Sequence, residues 1–142
     1  MSLPLVSVLI TVFNRERYLA AAIESVLAQT YGEFELIIVD DASTDGSLAV
    51  ARSYERNARV RVCVNDRNLG DYPNRNKAAS LARGKYLKYV DADDIIYPHC
   101  LDRMVQGMEA FPEAALGIAR ALPWIVCPAQ LSPGDAYRCH FL

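Results

Sequence analysis

The stretch Lys85-Tyr-Leu-Lys-Tyr-Val-Asp-Ala-Asp-Asp-Ile95 decides how the chain folds. Tyr86 to Val90 alternates large and β-branched residues with Lys88, the pattern of a short strand. The strand then stops on Asp91, Asp93 and Asp94, because aspartate disfavours strands and favours turns. Three acids so close repel one another unless a cation or hydrogen-bond donors stand among them. Hard oxygen donors of this kind suit Mg²⁺ or Mn²⁺, ions commonly shared with a substrate phosphate.

Working outward, the same pattern recurs. Val6–Phe13 is a nearly continuous apolar run ending at Asn14, as in a buried parallel strand. Tyr18–Gln29 carries Leu19, Ile23, Val26 and Leu27 at helical spacing. Glu35–Val39 reads as a second buried strand and ends on Asp40 and Asp41. Ser43-Thr44-Asp45-Gly46 supplies turn and capping residues for a helix to about Arg56. Val60, Val62 and Val64 make a third strand that stops at Asn65. A helix is expected over Pro73–Ala82, ending near Gly84, and another over Pro98–Phe111. Ala114–Leu122 reads as a further strand broken by Pro123, and Ser132–Asp135 as a helix start.

Strands alternating with helices imply an α/β fold with a mostly parallel sheet. Ligands of such sheets bind beyond the carboxyl ends of the strands. Those ends carry Phe13-Asn14, Asp40-Asp41, Asn65 and Asp91-Ala92-Asp93. Core packing alone asks for no such row of polar groups, so it marks a candidate site. There is no Gly-x-Gly-x-x-Gly after the first strand and no Gly-x-x-x-x-Gly-Lys-Ser/Thr. Diphosphate charge would therefore have to be met by a metal at the acidic turn and by arginine.

Composition narrows the classes. The 142 residues suit one domain with a sizeable core, and 52% are apolar. A net charge of −2 gives no field for nucleic acid. The four cysteines lack zinc-ribbon or redox spacing, and His99-Cys100 and Cys139-His140 read as ordinary residues. Free thiols without a signal peptide fit a cytoplasmic protein. No apolar run is long enough to span a bilayer, which leaves peripheral membrane association open.

The chain resembles the N-terminal, nucleotide-sugar-binding half of family 2 glycosyltransferases. The matching pieces are Val8–Asn14, Ile38–Gly46, Asn68-Leu-Gly70 with Arg75-Asn76, and Gly84–Asp94, in the family's order and spacing. The resemblance implies the Rossmann-like, three-layer GT-A fold with a mostly parallel sheet, incomplete at its C-terminus. It implies a donor domain over residues 4–122 and the start of a truncated acceptor-side region over 123–142. It also implies an inverting, metal-dependent transfer from a UDP-sugar to a saccharide, lipid or protein acceptor. Thr11 and Phe13 would line the base pocket, with Asn14 beside them, and Asp40 would accept a hydrogen bond from uracil. Asp41 and Ser43 would shape that loop, and Arg75 would approach the base or diphosphate. Asp91 would contact the ribose or a metal-bound water, and Asp93 would ligate Mn²⁺ or Mg²⁺. Asp71-Tyr72-Pro73-Asn74 departs from the small residues usual before Arg75, which bears on the sugar pocket. The family's later half supplies the general base, and nothing after Phe111 matches it; Asp135 is the sole carboxylate after Glu113. Two rivals follow: a nucleotide-binding module without transfer activity, and a receiver-like signalling domain. The second wants an acidic pair after the first strand, where Asn14 stands.

Overall fold

A computed structural model describes residues 4–117 of the chain. The elements run β1 (Val6–Val12), α1 (Glu16–Leu27), β2 (Phe34–Asp40), α2 (Ser47–Ser53), β3 (Val60–Val64), α3 (Asp71–Ser80), β4 (Tyr86–Tyr89) and α4 (Cys100–Ala110). The four strands form one sheet in the order β3-β2-β1-β4, and every pairing is parallel. This is the α/β, parallel-sheet architecture expected from the alternation of apolar runs and helical periods.

The two inner strands explain why their sequences are so apolar. All seven residues of β2 are buried, as are six of the seven in β1. One face of the sheet packs Leu9, Ile37 and Val39 against Ala78 of α3, with Ala79, Leu81 and Tyr89 around them. The other face, with Val8, Ile10, Leu36 and Ile38, is fully buried too. Each such side chain contributes about 1.5–3 kcal/mol through removal from water. Helix α1 buries Leu19, Ala22, Ile23 and Val26, the stripe set by its helical period.

Several helix boundaries differ from the sequence expectation for identifiable reasons. Helix α1 starts at Glu16, two residues early, because the amide of Glu16 donates to the Asp45 carboxylate at 3.1 Å. Helix α3 starts at Asp71 directly after Gly70, whose φ of 88° ends the preceding loop. It stops at Ser80 because its last turn tightens, with Leu81 and Ala82 donating three residues back.

The chain divides into two compact units at Cys100–Leu101. The second contains α4 and a turn in which the Ala114 amide donates to Phe111 O at 2.9 Å. Residues 114–117 form no strand, and the rest of the expected Ala114–Leu122 strand lies outside the described residues. The Ser132–Asp135 helix start, the 123–142 region and the Cys139-His140 pair lie outside them as well.

Candidate functional site

The register carries β1, β2 and β3 to a common edge, pairing Val12 with Asp40 and Asp40 with Val64. The next residues out are Phe13-Asn14, Asp41 and Asn65. Strand β4 is shorter, but the Val90 amide donates to Leu9 O at 3.0 Å and extends the ladder. Asp91 therefore leaves the sheet at the level of Ile10 and Thr11. The carboxyl edge foreseen from sequence exists as a single line of groups.

The loops after β1 and β2 are laced together. Asn14, in a left-handed conformation (φ 52°), donates its amide to Ser43 Oγ at 3.0 Å and accepts the Thr44 amide on Oδ1 at 2.8 Å. The Arg15 amide donates to the buried Ser47 Oγ at 2.8 Å. Asp45 accepts the first amides of two helices, Glu16 of α1 at 3.1 Å and Ser47 of α2 at 2.9 Å. Hydrogen bonding from Ser47 holds the Asp45 carboxyl below its ordinary pKa. Glu16 returns the bond by accepting the Gly46 amide at 3.0 Å. A Cβ on Gly46 would stand 2.6 Å from the Glu16 carboxylate, so a larger residue there would push the Glu16 side chain off this bond.

Two adjacent aspartates have opposite surroundings. Asp41, 2% exposed, is saturated. It accepts Asn65 Nδ2 at 2.6 Å and the amides of Leu69 and Gly70 at 2.9 Å each. Asn65 also donates to Asn74 Oδ1 at 2.9 Å and accepts Lys77 Nζ at 2.6 Å. Asn74 donates to Val39 O at 3.2 Å. This buried chain ties the 66–70 loop and α3 to the end of β2. Asp40, 1% exposed, accepts the Ser43 amide on Oδ1 at 2.9 Å, but its Oδ2 has no hydrogen-bond partner. A buried carboxylate oxygen without a donor costs about 1–3 kcal/mol. On the neighbouring strand, the residues flanking its register partner Val12 are Phe13, 43% exposed, and Thr11, half-buried.

At the acidic turn, Arg75 Nη2 donates to Asp91 Oδ1 at 2.7 Å, and Arg75 Nε to Asp71 Oδ1 at 2.8 Å. The Asp91 hydrogen bond raises the Arg75 pKa further. From the other side, Arg15 Nε donates to Asp93 Oδ2 at 3.2 Å. Asp91 Oδ2 and Asp93 Oδ1 stay outside these ion pairs. Both carboxylates are about half exposed. Among the described residues no three His, Cys, Asp or Glu side chains gather closely enough to hold an ion by themselves. Two open carboxylate oxygens nevertheless match what Mg²⁺ or Mn²⁺ takes from protein when phosphates and water complete its shell. The donor chemistry of these two residues suits such an ion.

Thr11, Phe13, Asn14, Asp40, Asp41, Arg75, Asp91 and Asp93 thus lie along one edge. Arg75 and Asp91 are in direct contact, whereas no hydrogen bond joins Asp40 to Asp91 or Asp93. Sequence reasoning missed Arg15, Asn74 and Lys77. Arg15 directly follows a strand-end Asn, a position that could have drawn attention to it. A concavity of about 510 Å³ lined by Pro4, Leu5, Tyr31, Glu33, Arg83, Gly84 and Lys85 lies at the opposite end of the sheet. It holds none of these groups.

A sequence model of glycosyl transferase family 2 matches residues 7–122. The chain belongs to this family. It is 36% identical over 96% of its length to Bacillus subtilis EpsE, whose name assigns it provisionally to the glycosyltransferases, and covers 54% of that protein. It is 34% identical over 74% of its length to glycosyltransferase GlyG of Streptococcus pneumoniae, covering 35% of it. This family 2 chain thus spans about half or less of the length of these relatives. In structure it is similar to S. aureus TarS 1–349 in complex with UDP, with a TM-score of 0.71 and 26% identity over 82% of this chain and 38% of that one. TarS has also been solved with UDP-GlcNAc. The fold is that of GT-A glycosyltransferases. No helix among the described residues is long and apolar enough to cross a membrane.

Proposed function

We propose that residues 4–122 are the donor-binding domain of an inverting, divalent-metal-dependent glycosyltransferase that uses a UDP-sugar, and that 123–142 begin its acceptor side. The observation that carries this reading is the orphaned Asp40 Oδ2 at the carboxyl edge. A uracil imide N–H is a donor of the kind it lacks, and the exposed Phe13 at the end of the neighbouring strand offers an aromatic face to a base. The likeness to TarS in complex with UDP and with UDP-GlcNAc supports the choice of base.

In this reading Thr11, Phe13 and Asp40 hold the base, while Asn14 and Asp41 hold the loops that frame it. Arg75, fixed by Asp71 and Asp91, offers guanidinium N–H groups to the diphosphate or base. Asp91 and Asp93 would hold Mn²⁺ or Mg²⁺, which as a Lewis acid stabilises the charge on departing UDP. An acceptor hydroxyl oxygen forms the new bond to the anomeric carbon as the bond to the diphosphate oxygen breaks in line. Its proton passes to a base that none of the described carboxyl-edge groups supplies. The acceptor is a saccharide, lipid or protein. The free thiol of Cys63 fits work in the cytoplasm.

Calorimetric titration with UDP, with and without Mn²⁺, tests the proposal. UDP should bind more tightly with Mn²⁺ and more tightly than other nucleoside diphosphates. Asp93→Ala should remove the Mn²⁺ increment and spare metal-free binding. Equal UDP affinity with and without Mn²⁺, or no preference for uracil, overturns it.

A further inference from the structure

Two arginines reach the acidic turn, and they are held very differently. Arg75 is braced on all sides. It binds Asp71 and Asp91, lies over the Tyr89 ring at 5.5 Å, and its carbonyl accepts the Tyr89 hydroxyl at 2.9 Å. Arg15 has a rigid base and a loose tip. Its backbone is pinned by Ser47 and by the left-handed turn at Asn14. Its guanidinium contacts Asp93 at 3.2 Å, Asn14 O at 3.1 Å and Phe13 O at 3.4 Å. The Arg15 and Asp93 side chains are both 47% exposed. Such pairs are weak, because solvent screens them and ordering two side chains costs entropy.

We propose that Arg15 is a positioning residue that holds Asp93 in place of a divalent cation in the unliganded protein. When the ion arrives with the diphosphate, Arg15 is released to donate to a phosphate oxygen. This rests on the metal-dependent donor reading above. A doubly charged ion outcompetes a half-exposed guanidinium for one carboxylate oxygen. The freed guanidinium is not lost to solvent, since the Phe13 and Asn14 carbonyls keep it at the end of β1. Its planar fork then suits phosphate oxygens. One side chain would thereby oppose metal binding alone and favour metal binding together with the donor.

The test measures two affinities that a merely structural role would not move in opposite directions. Mn²⁺ binding without nucleotide is followed by electron paramagnetic resonance, and UDP binding at saturating Mn²⁺ by calorimetry. Arg15→Gln should bind Mn²⁺ alone up to about fivefold more tightly, the size of one exposed ion pair. The same variant should bind UDP at saturating Mn²⁺ about tenfold or more weakly, the size of one charged hydrogen bond. Arg15→Lys should recover part of the UDP affinity. Unchanged Mn²⁺ affinity in Arg15→Gln, or unchanged UDP affinity, overturns the inference. Asp93→Asn separates it from the reading beneath. If Asp93→Asn leaves Mn²⁺ affinity intact, the metal assignment itself fails. If Asp93→Asn weakens Mn²⁺ and Arg15→Gln changes nothing, only the role of Arg15 fails.

Discussion

Glu35 and Asp40 are carboxylates near opposite ends of the same buried strand, and their oxygens meet opposite fates. At the amino end, Glu35 Oε1 accepts Ser7 Oγ and the Arg83 amide, each at 2.8 Å. Oε2 accepts Arg83 Nε at 3.0 Å and Nη2 at 2.7 Å. Ser7 Oγ in turn accepts the amides of Arg83 and Gly84, and a Cβ on Gly84 would sit 2.6 Å from the Ser7 nitrogen. Arg61 Nη2 donates to Leu81 O and lies 3.9 Å from Glu35 Oε2, while its own buried Nε has no hydrogen-bond partner. At the carboxyl end, Asp40 Oδ2, Asp91 Oδ2 and Asp93 Oδ1 have no such partners. Charge occurs at both ends, so charge alone does not mark a site. A carboxylate closed on its own chain stabilises the fold, while one left open awaits something from outside.

Three changes test this contrast, taken from the largest effect to the smallest. Glu35→Ala leaves Arg83 without its carboxylate and should lower unfolding free energy by about 2 to 4 kcal/mol, read by urea denaturation. Burial pushes the Glu35 carboxyl up, but hydrogen bonds from Arg83 and Ser7 outweigh it and hold the group below 4.5. Its contribution is therefore complete above about pH 4.5 and is lost as pH falls through the lowered value. Glu35→Ala should flatten the acid limb of the stability profile and leave UDP affinity alone. A parallel loss of UDP affinity would erase the distinction between the two ends. Asp40→Asn should do the reverse, weakening UDP binding by roughly 1.5–3 kcal/mol with stability unchanged or raised. Unchanged affinity and base preference would remove Asp40 from the site. The smallest effect belongs to Ala42, which holds a left-handed conformation (φ 59°) beside Asp41. Ala42→Gly should raise stability slightly, since about 1–2 kcal/mol of relieved left-handed strain exceeds the roughly 0.5–1 kcal/mol of added glycine backbone entropy, read as a small rise in melting temperature. A fall in stability would show that contacts of the methyl group outweigh the strain.

The fold was legible because the strands are apolar runs that end abruptly in polar residues. Val6–Val12 and Phe34–Asp40 need no partner information to be read as buried. The carboxyl edge followed from their parallel register, which gathers Asn14, Asp40, Asn65 and Asp91 without knowledge of any contact. What stayed hidden depends on pairings distant in sequence. The partner of Arg15 is invisible in the sequence, because Asp93 stands 78 residues on. Glu35 reads as one polar residue in an apolar strand until Ser7 and Arg83 close around it. Asn74 stood in a stretch associated with the sugar pocket, yet it is buried between Asn65 and Val39.

Asp45 binds the first turns of α1 and α2 through one carboxylate. The loop that presents Phe13 and the loop that follows Asp40 therefore share a fastener. In dynamic terms they form one cooperative opening unit, since neither helix start can fray without stripping an acceptor from the other. A ligand that orders one of the two walls proposed for the base pocket should therefore lower the entropic cost of ordering the other.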